Sequence, residues 1–350
     1  MGALTFDALF RGLKKGAVDP VYYLYGDEDV LKQEAIQALL EHALDAATRD
    51  FNLDQRDIGS LDAEALHALV QTPPMMASRR VVVLRGIEQL RKKSKARDEL
   101  MRYLAAPNPD TVLVMVQAAG TDTEAELLRH ATAVELDRLP PERVRRWIDR
   151  RAGQLAMKIE PAAADLLLAA VGSDLGAASQ ELDKLAGLAQ GRTITAEDLA
   201  VVAGLTPGET VPDLVAAVLG RDVKRAAGLV RPVLEQAGVS GVRALSALGT
   251  ALIGVALARA ELDRGTPQAR VAGVVFRHIE TARPAGLGSW RDTANRWSTW
   301  AAAWTAADLR HALRLALEAD TALKNSTVSD EVGIVLDLVL RLAVPAEVGA

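Results

Sequence analysis

The stretch Val21-Tyr22-Tyr23-Leu24-Tyr25-Gly26-Asp27-Glu28-Asp29-Val30 decides the fold. Five residues of high strand propensity run together, and one glycine ends them. Carboxylates then open a segment in which Leu31, Ile36, Leu39, Leu40 and Leu44 follow helical spacing. A strand that passes through a short loop into a helix is half of a βαβ unit. Further along the chain, β-rich runs recur at Phe51–Ile58, Val81–Leu84, Thr111–Val116 and Val134–Leu136, roughly thirty residues apart. Helical spacing fills Leu61–Val70 and Glu124–His130 between them. Val81-Val82-Val83-Leu84 is continuously apolar, as a strand covered on both faces must be. The expectation is an α/β domain with a parallel sheet.

Pro140-Pro141 ends that pattern, and no convincing strand follows. Glu142–Leu155, Pro161–Val171, Leu175–Ala189 and Thr195–Ala203 read as four helices, with Gly191 a stop after Gln190. Gly204–Pro212 reads as a connector, and Asp213 to about Ala343 as helical, with breaks at Gly238–Gly241, Arg264–Thr266 and Pro284–Gly288. The length of 350 residues exceeds what one core usually spans. Three domains are therefore expected: residues 1–140, α/β; residues 141–207, a small helical domain; and residues 208–350, a larger helical bundle.

Composition excludes several classes. Hydrophobic residues at 49% supply a large core, so wholesale disorder is excluded. With no cysteine, disulfides, thiolate zinc, iron–sulfur clusters and thiol nucleophiles are impossible. A net charge of −5 makes the whole chain a poor nucleic-acid magnet, although local basic faces remain open. The N-terminus lacks the pattern of a signal peptide, and Leu245–Leu257 is short for a membrane span. A cytoplasmic protein without membrane contact is expected.

The loop at Gly26–Asp29 lies where a P-loop protein cradles phosphate, yet it has one glycine, no Lys-Ser/Thr pair and three carboxylates. Asp27, Glu28 and Asp29 suit a helix N-terminus, would repel a triphosphate, and leave divalent-metal binding as a minor alternative. The five histidines, His42, His67, His130, His278 and His311, form no ligand spacing. Gly238–Gly241 is not a nucleophile elbow, and the Asp122/Glu124 pair reads as a solvated helix start. No catalytic residue, cofactor site or metal site is expected.

The segment Gln71-Thr72-Pro73-Pro74-Met75-Met76-Ala77-Ser78-Arg79-Arg80 is the oddest in the chain. Two prolines stop a helix, and two large flexible apolar side chains follow just before a buried strand. Such a pair is either packed or offered to a partner. Basic stretches at Arg91–Arg97 and Arg143–Arg151 read as solvated faces or phosphate contacts, with Arg143, Arg146 and Arg150 on one helical face. Trp290, Trp297, Trp300 and Trp304 form a helical stripe that reads as core.

Together these residues resemble one family. Pro20–Glu28, Thr72–Val83, Gln180–Leu185 with Ile194–Leu199, and Asp320–Lys324 are similar, in order and spacing, to the delta subunits of the bacterial DNA polymerase III clamp loader. The resemblance covers nearly the whole chain. It implies an AAA+-like α/β domain with a degenerate nucleotide site over 1–140, which binds the clamp. A helical lid over 141–207 and a helical-bundle collar for oligomerisation over 208–350 complete the chain. It further implies a non-ATPase subunit with no active site of its own, which counts as a nucleotidyltransferase only through the polymerase holoenzyme. Its expected partners are the beta sliding clamp, loader subunits of delta-prime and gamma/tau type, and primer–template DNA within the assembled complex. Its expected place is the cytoplasm, associated with the nucleoid at replication forks. In the family an apolar pair, often Leu-Phe, enters a clamp pocket. By position that pair is Met75 and Met76, with Pro74, Ala77, Ser78 and Arg79 around it, on the tip of a helix. Arg79 and Arg80 are expected to pin the loop or steer the clamp. An AAA+ ATPase and a DNA-binding regulatory protein are the alternatives.

Overall fold

Strands that are apolar at every position must be covered on both sides, because each successive side chain points to the opposite face. In the computed structural model, which describes residues 2–189, 191–203, 208–236, 239–284, 286–325 and 330–343, this is what happens. The chain divides into two compact units, Met1–Arg138 and Leu139–Ala350.

The first unit runs β1 (Leu4–Thr5), α1 (Phe6–Leu13), β2 (Val21–Tyr25), α2 (Asp29–Ala43), α3 (Arg49–Asn52), β3 (Leu53–Asp57), α4 (Ala63–Gln71), β4 (Arg80–Arg85), α5 (Lys95–Ala105), β5 (Thr111–Val116), α6 (Ala125–His130) and β6 (Thr132–Glu135). Its six strands form one parallel sheet in the order β1-β6-β2-β5-β4-β3. One face sends Val21, Tyr23, Val82, Leu84, Leu113 and Met115 into a core with Leu66 and Val70 of α4, Leu100 of α5 and Leu127 of α6. The alternate residues Tyr22, Leu24, Val81, Val83, Val112 and Val114 are equally buried, and α2 lies against β4 and β5. This is the parallel α/β sheet expected for the first part of the chain.

Two details depart from the sequence reading. Phe51 and Asn52 close the short helix α3 instead of starting β3. The structure also adds β1, α1 and α5, the last lying behind the basic run Arg91–Arg97. Ser94 caps α5 by accepting from Arg97 N, and Leu100, Tyr103 and Leu104 bury its apolar face.

The second unit is helical: α7 (Pro141–Gln154), β7 (Lys158–Ile159), α8 (Pro161–Val171), α9 (Leu175–Ala189), β8 (Thr193–Ile194), α10 (Ala196–Ala203), α11 (Val211–Leu219), α12 (Val223–Leu234), α13 (Gly241–Asp263), α14 (Gln268–Ala282), α15 (Trp290–Ala301), α16 (Ala306–Lys324) and α17 (Glu331–Ala343). The two-residue strands β7 and β8, absent from the sequence reading, pair in parallel. Of the Gly204–Pro212 connector, residues 204–207 lie outside the described residues, as do Gln190 and Gly238 among the expected breaks. Val211 and Pro212 already belong to α11, because Thr210 and Asp213 form a capping box and proline suits a first turn.

The tryptophan stripe packs inward. Trp290, Trp297 and Trp304 are buried, and Trp304 Nε1 donates to Leu219 O at 2.9 Å. The helix α13 is long and apolar enough to cross a membrane, longer than the expected Leu245–Leu257. It serves here as a core helix, burying Leu245, Leu248, Leu252 and Val255 against its neighbours. Gly254 lets α15 approach it closely, since a Cβ at that position would overlap the Trp297 ring.

This packing and burial can be tested in two ways. Gly254→Ala adds a methyl where there is no room, an overpacking cost of about 1–3 kcal/mol. That outweighs the roughly 1 kcal/mol gained in helix propensity, so the thermal midpoint followed by tryptophan fluorescence falls. Gly249→Ala in the same helix meets nothing within 4 Å, and there the midpoint rises. The second test concerns Tyr22, Tyr23, Tyr25 and Tyr103, which are all of the tyrosines. Burial raises each phenol above its ordinary value of 10.0, and raises Tyr23 to about 12. The folded state holds these phenols neutral while the unfolded chain ionises them near pH 10, so folding stability falls as pH rises from about 10 towards 12. A titration of absorbance at 295 nm shows tyrosine ionisation delayed in the native protein and returned to near pH 10 in denaturant.

Candidate protein-interaction site

The connection from α4 to β4 is built by its prolines. Helix α4 ends at Gln71, and Thr72 turns its hydroxyl back to donate to Ala68 O at 2.6 Å. Pro73 and Pro74 supply no N–H for a further turn and disfavour helix in the residue before each. Residues 75–78 are therefore bends, and Met75 and Met76 stand on a loop, not on the expected helix tip. Met75 is 56% exposed and Met76 91% exposed. Pro74, Ala77 and Arg79 are half-buried, and Ser78 is exposed.

The loop is held at both ends. Arg80, the first residue of β4, is buried, forms an ion pair with Asp54 of β3 and donates from Nη1 to Thr72 O at 3.3 Å. Pinning, one of the two roles expected for the arginines, is thus carried by Arg80. Inside the loop, Asn52 of α3 accepts from Met75 N at 2.7 Å and donates to Met75 O at 2.9 Å. The six expected residues are consecutive in chain and share this one loop. The residues that shape it, Asn52, Asp54 and Arg80, come from elsewhere. Asn52 was legible only as a polar residue inside an apparent strand, and Phe51 beside it is 66% exposed.

At the opposite end of the sheet the nucleotide-like loop is closed on itself. Gly26 has φ 111°, and a Cβ there would lie 2.6 Å from the Leu136 carbonyl. Asp27 Oδ1 accepts from Gly120 N at 2.9 Å, and Glu28 caps α2 by accepting from Val30 N. Lys32, one turn into α2, is buried and spends its ammonium on Asp29 Oδ1 at 2.9 Å and Gln117 O at 2.8 Å. Tyr23 in turn donates to Gln117 Oε1. The Glu28 and Val30 amides and the Lys32 ammonium are thus already engaged by the protein's own oxygens.

Other candidate groups have structural employment. Arg97 is buried between Glu124 at 2.6 Å and Glu126 at 2.8 Å; its hydrogen bond to Glu124 raises its pKa, and its bond to Glu126 lowers the carboxyl of Glu126. In the Arg143–Arg151 stretch, Arg145 meets Asp165 and Arg151 meets Asp183, tying α7 to α8 and α9. His67 Nδ1 lies 2.7 Å from Glu99. Among the described residues no group of three or more His, Asp or Glu could hold a metal.

A family model described as "DNA polymerase III, delta subunit" matches residues 22–135, the span from β2 to β6 that contains both loops. Residues 22–135 are thus similar to the DNA polymerase III delta subunits. A second model, described as a middle domain, matches residues 143–200. The DNA polymerase III subunit delta of Bacillus subtilis (strain 168) is 27% identical over 245 residues, which are 67% of this chain and 70% of that protein. The solved structure of the Bacillus subtilis DNA clamp loader delta protein superposes with a TM-score of 0.61 at 21% identity, covering 97% of this chain and 99% of that one. The fold of the delta protein thus extends across both units.

Titration calorimetry with ATP and Mg²⁺ tests the closed loop. The expected result is no saturable heat, because Asp27 and Glu28 stand at the phosphate position and Lys32 is already paired. A micromolar site would show that the loop opens.

Proposed function

We propose that this chain is the delta subunit of a DNA polymerase III clamp loader, which binds the beta sliding clamp and opens its ring, or holds it open, for loading onto primed DNA. The observation that carries this is the exposed Met75–Met76 pair, raised on a pinned loop within the segment that matches the delta-subunit model. Both side chains are buried in an apolar pocket of the clamp, flanked by Pro74, Ala77, Ser78 and Arg79. Full burial contributes about 1.5–3 kcal/mol for each methionine. The pair therefore supplies roughly two to four decades of affinity before ordering costs. Part of that free energy offsets strain in the ring, so that binding shifts the clamp's population towards an opened state.

The helical part has the supporting role. Residues 141–207 act as a lid and 208–350 as a collar that seats the subunit beside delta-prime and gamma/tau-type neighbours, which supply ATP hydrolysis. Primer–template DNA is met within that assembly. Such a subunit works in the cytoplasm, with the nucleoid at replication forks as its place of action.

Surface-plasmon binding to the sliding clamp of the same species, without nucleotide, tests this. The wild type binds, and the folded Met75→Ala/Met76→Ala variant loses at least a hundredfold in affinity, the lower end of the burial estimate. Undiminished binding by the variant would place the contact elsewhere, and absence of wild-type binding would remove the clamp-binding role.

A further inference from the structure

We propose that Asn52 is the positioning residue of the docking loop, and that Phe51 beside it is a third apolar contact with the clamp. This rests on the clamp-binding reading above. Asn52 is completely buried, and a buried amide must spend its donors and acceptor on protein. It spends two of its bonds on one residue, Met75, taking the N–H at 2.7 Å and giving to the C=O at 2.9 Å. The other goes to Thr48 O at 2.9 Å, which anchors the amide in its own segment. A side chain that reads both polar groups of one residue fixes both the position and the orientation of its backbone. Here it does so 23 residues away in sequence.

The neighbouring residue needs that support. Met76 has φ 54°, in the left-handed region that is strained for a residue bearing a side chain. Such a conformation persists only where the surroundings over-determine it. The Asn52 bonds on one side and the β4 start on the other supply that constraint, so Met76 is held outward before any partner arrives. Holding the loop in its bound shape removes an ordering cost from association.

Phe51 enters through the same contact. Among the described residues of the first unit, the large hydrophobics that are exposed are Phe51, Met75 and Met76. Two stand on the loop and the third adjoins the residue that grips it. An apolar concentration of this kind marks an interaction site. The occupant is the apolar pocket of the sliding clamp, because Phe51 is joined through Asn52 to the loop that carries Met75 and Met76.

The test uses the full-length protein and the same clamp. In protein labelled with ¹⁵N-methionine, exchange of the Met75 amide with solvent is expected to be slow and that of the Met76 amide fast. Asn52→Ala should speed Met75 exchange and weaken clamp binding about tenfold, with circular dichroism unchanged. Its effect should shrink in a Met75→Ala/Met76→Ala background, since a positioning residue acts through the side chains it positions. Phe51→Ala should weaken binding at least threefold and leave Met75 exchange unchanged. Fast Met75 exchange in the wild type, or wild-type affinity in a folded Asn52→Ala variant, would overturn the positioning role. Unchanged affinity in Phe51→Ala would overturn the third contact. Should Asn52→Ala not fold, exchange in the wild type still decides whether the clasp exists. Loss of binding in Met75→Ala/Met76→Ala together with normal binding in Asn52→Ala rejects this inference alone. Normal binding in the methionine variant rejects the docking reading itself.

Discussion

A parallel strand cannot turn directly into its neighbour; the chain must leave at one end of the sheet and be carried back to the other. Much of the first unit depends on that constraint. The loop after β2 lies at the edge where strands finish, the edge at which α/β proteins bind nucleotides. The loop before β4 lies at the edge where strands begin. In this chain Asp27, Glu28 and Lys32 at the first edge hydrogen-bond within the protein, while the second carries the exposed methionines. One sheet therefore separates the usual nucleotide edge from the edge that carries the exposed methionines. Burial on both faces keeps the two edges at a fixed spacing.

Arg80 links the sheet to the loop. It is at once the first residue of β4, the partner of Asp54 on the adjacent strand and the donor to Thr72 at the end of α4. Removing Asp54 would leave the buried Arg80 guanidinium without its carboxylate, which is costly. The geometry of the Met75–Met76 loop is thus tied to the same contacts that fix the edge of the sheet. A loop anchored in this way presents flexible methionine side chains from a rigid base, a combination suited to a pocket that itself changes shape.

The strands were legible because continuous apolar runs such as Val81–Leu84 leave few alternatives, and the proline pair announced its own loop. The match to the family was carried in part by motifs whose work is local. Thr195 and Asp198 cap α10, Glu181 pairs with Lys184, and Asp320 with Lys324. What stayed hidden was non-local. Nothing near Asn52 in sequence indicates that its amide will meet Met75, and strand propensity around Phe51 masked a single helical turn. The helix-tip expectation failed for a reason the sequence did contain, since two consecutive prolines deny the backbone donors that another turn requires.

The aromatic residues are partitioned between the two units. All four tyrosines, Tyr22, Tyr23, Tyr25 and Tyr103, lie in Met1–Arg138, and all five tryptophans, Trp147, Trp290, Trp297, Trp300 and Trp304, lie in Leu139–Ala350. The protein therefore carries two intrinsic reporters with no overlap in origin. Phenol absorbance reads the unit with the Met75–Met76 loop, and indole emission reads the helical unit. Whether the two melt together or in sequence can be followed in one unlabelled sample, and any energy transferred from phenol to indole must cross from one unit to the other.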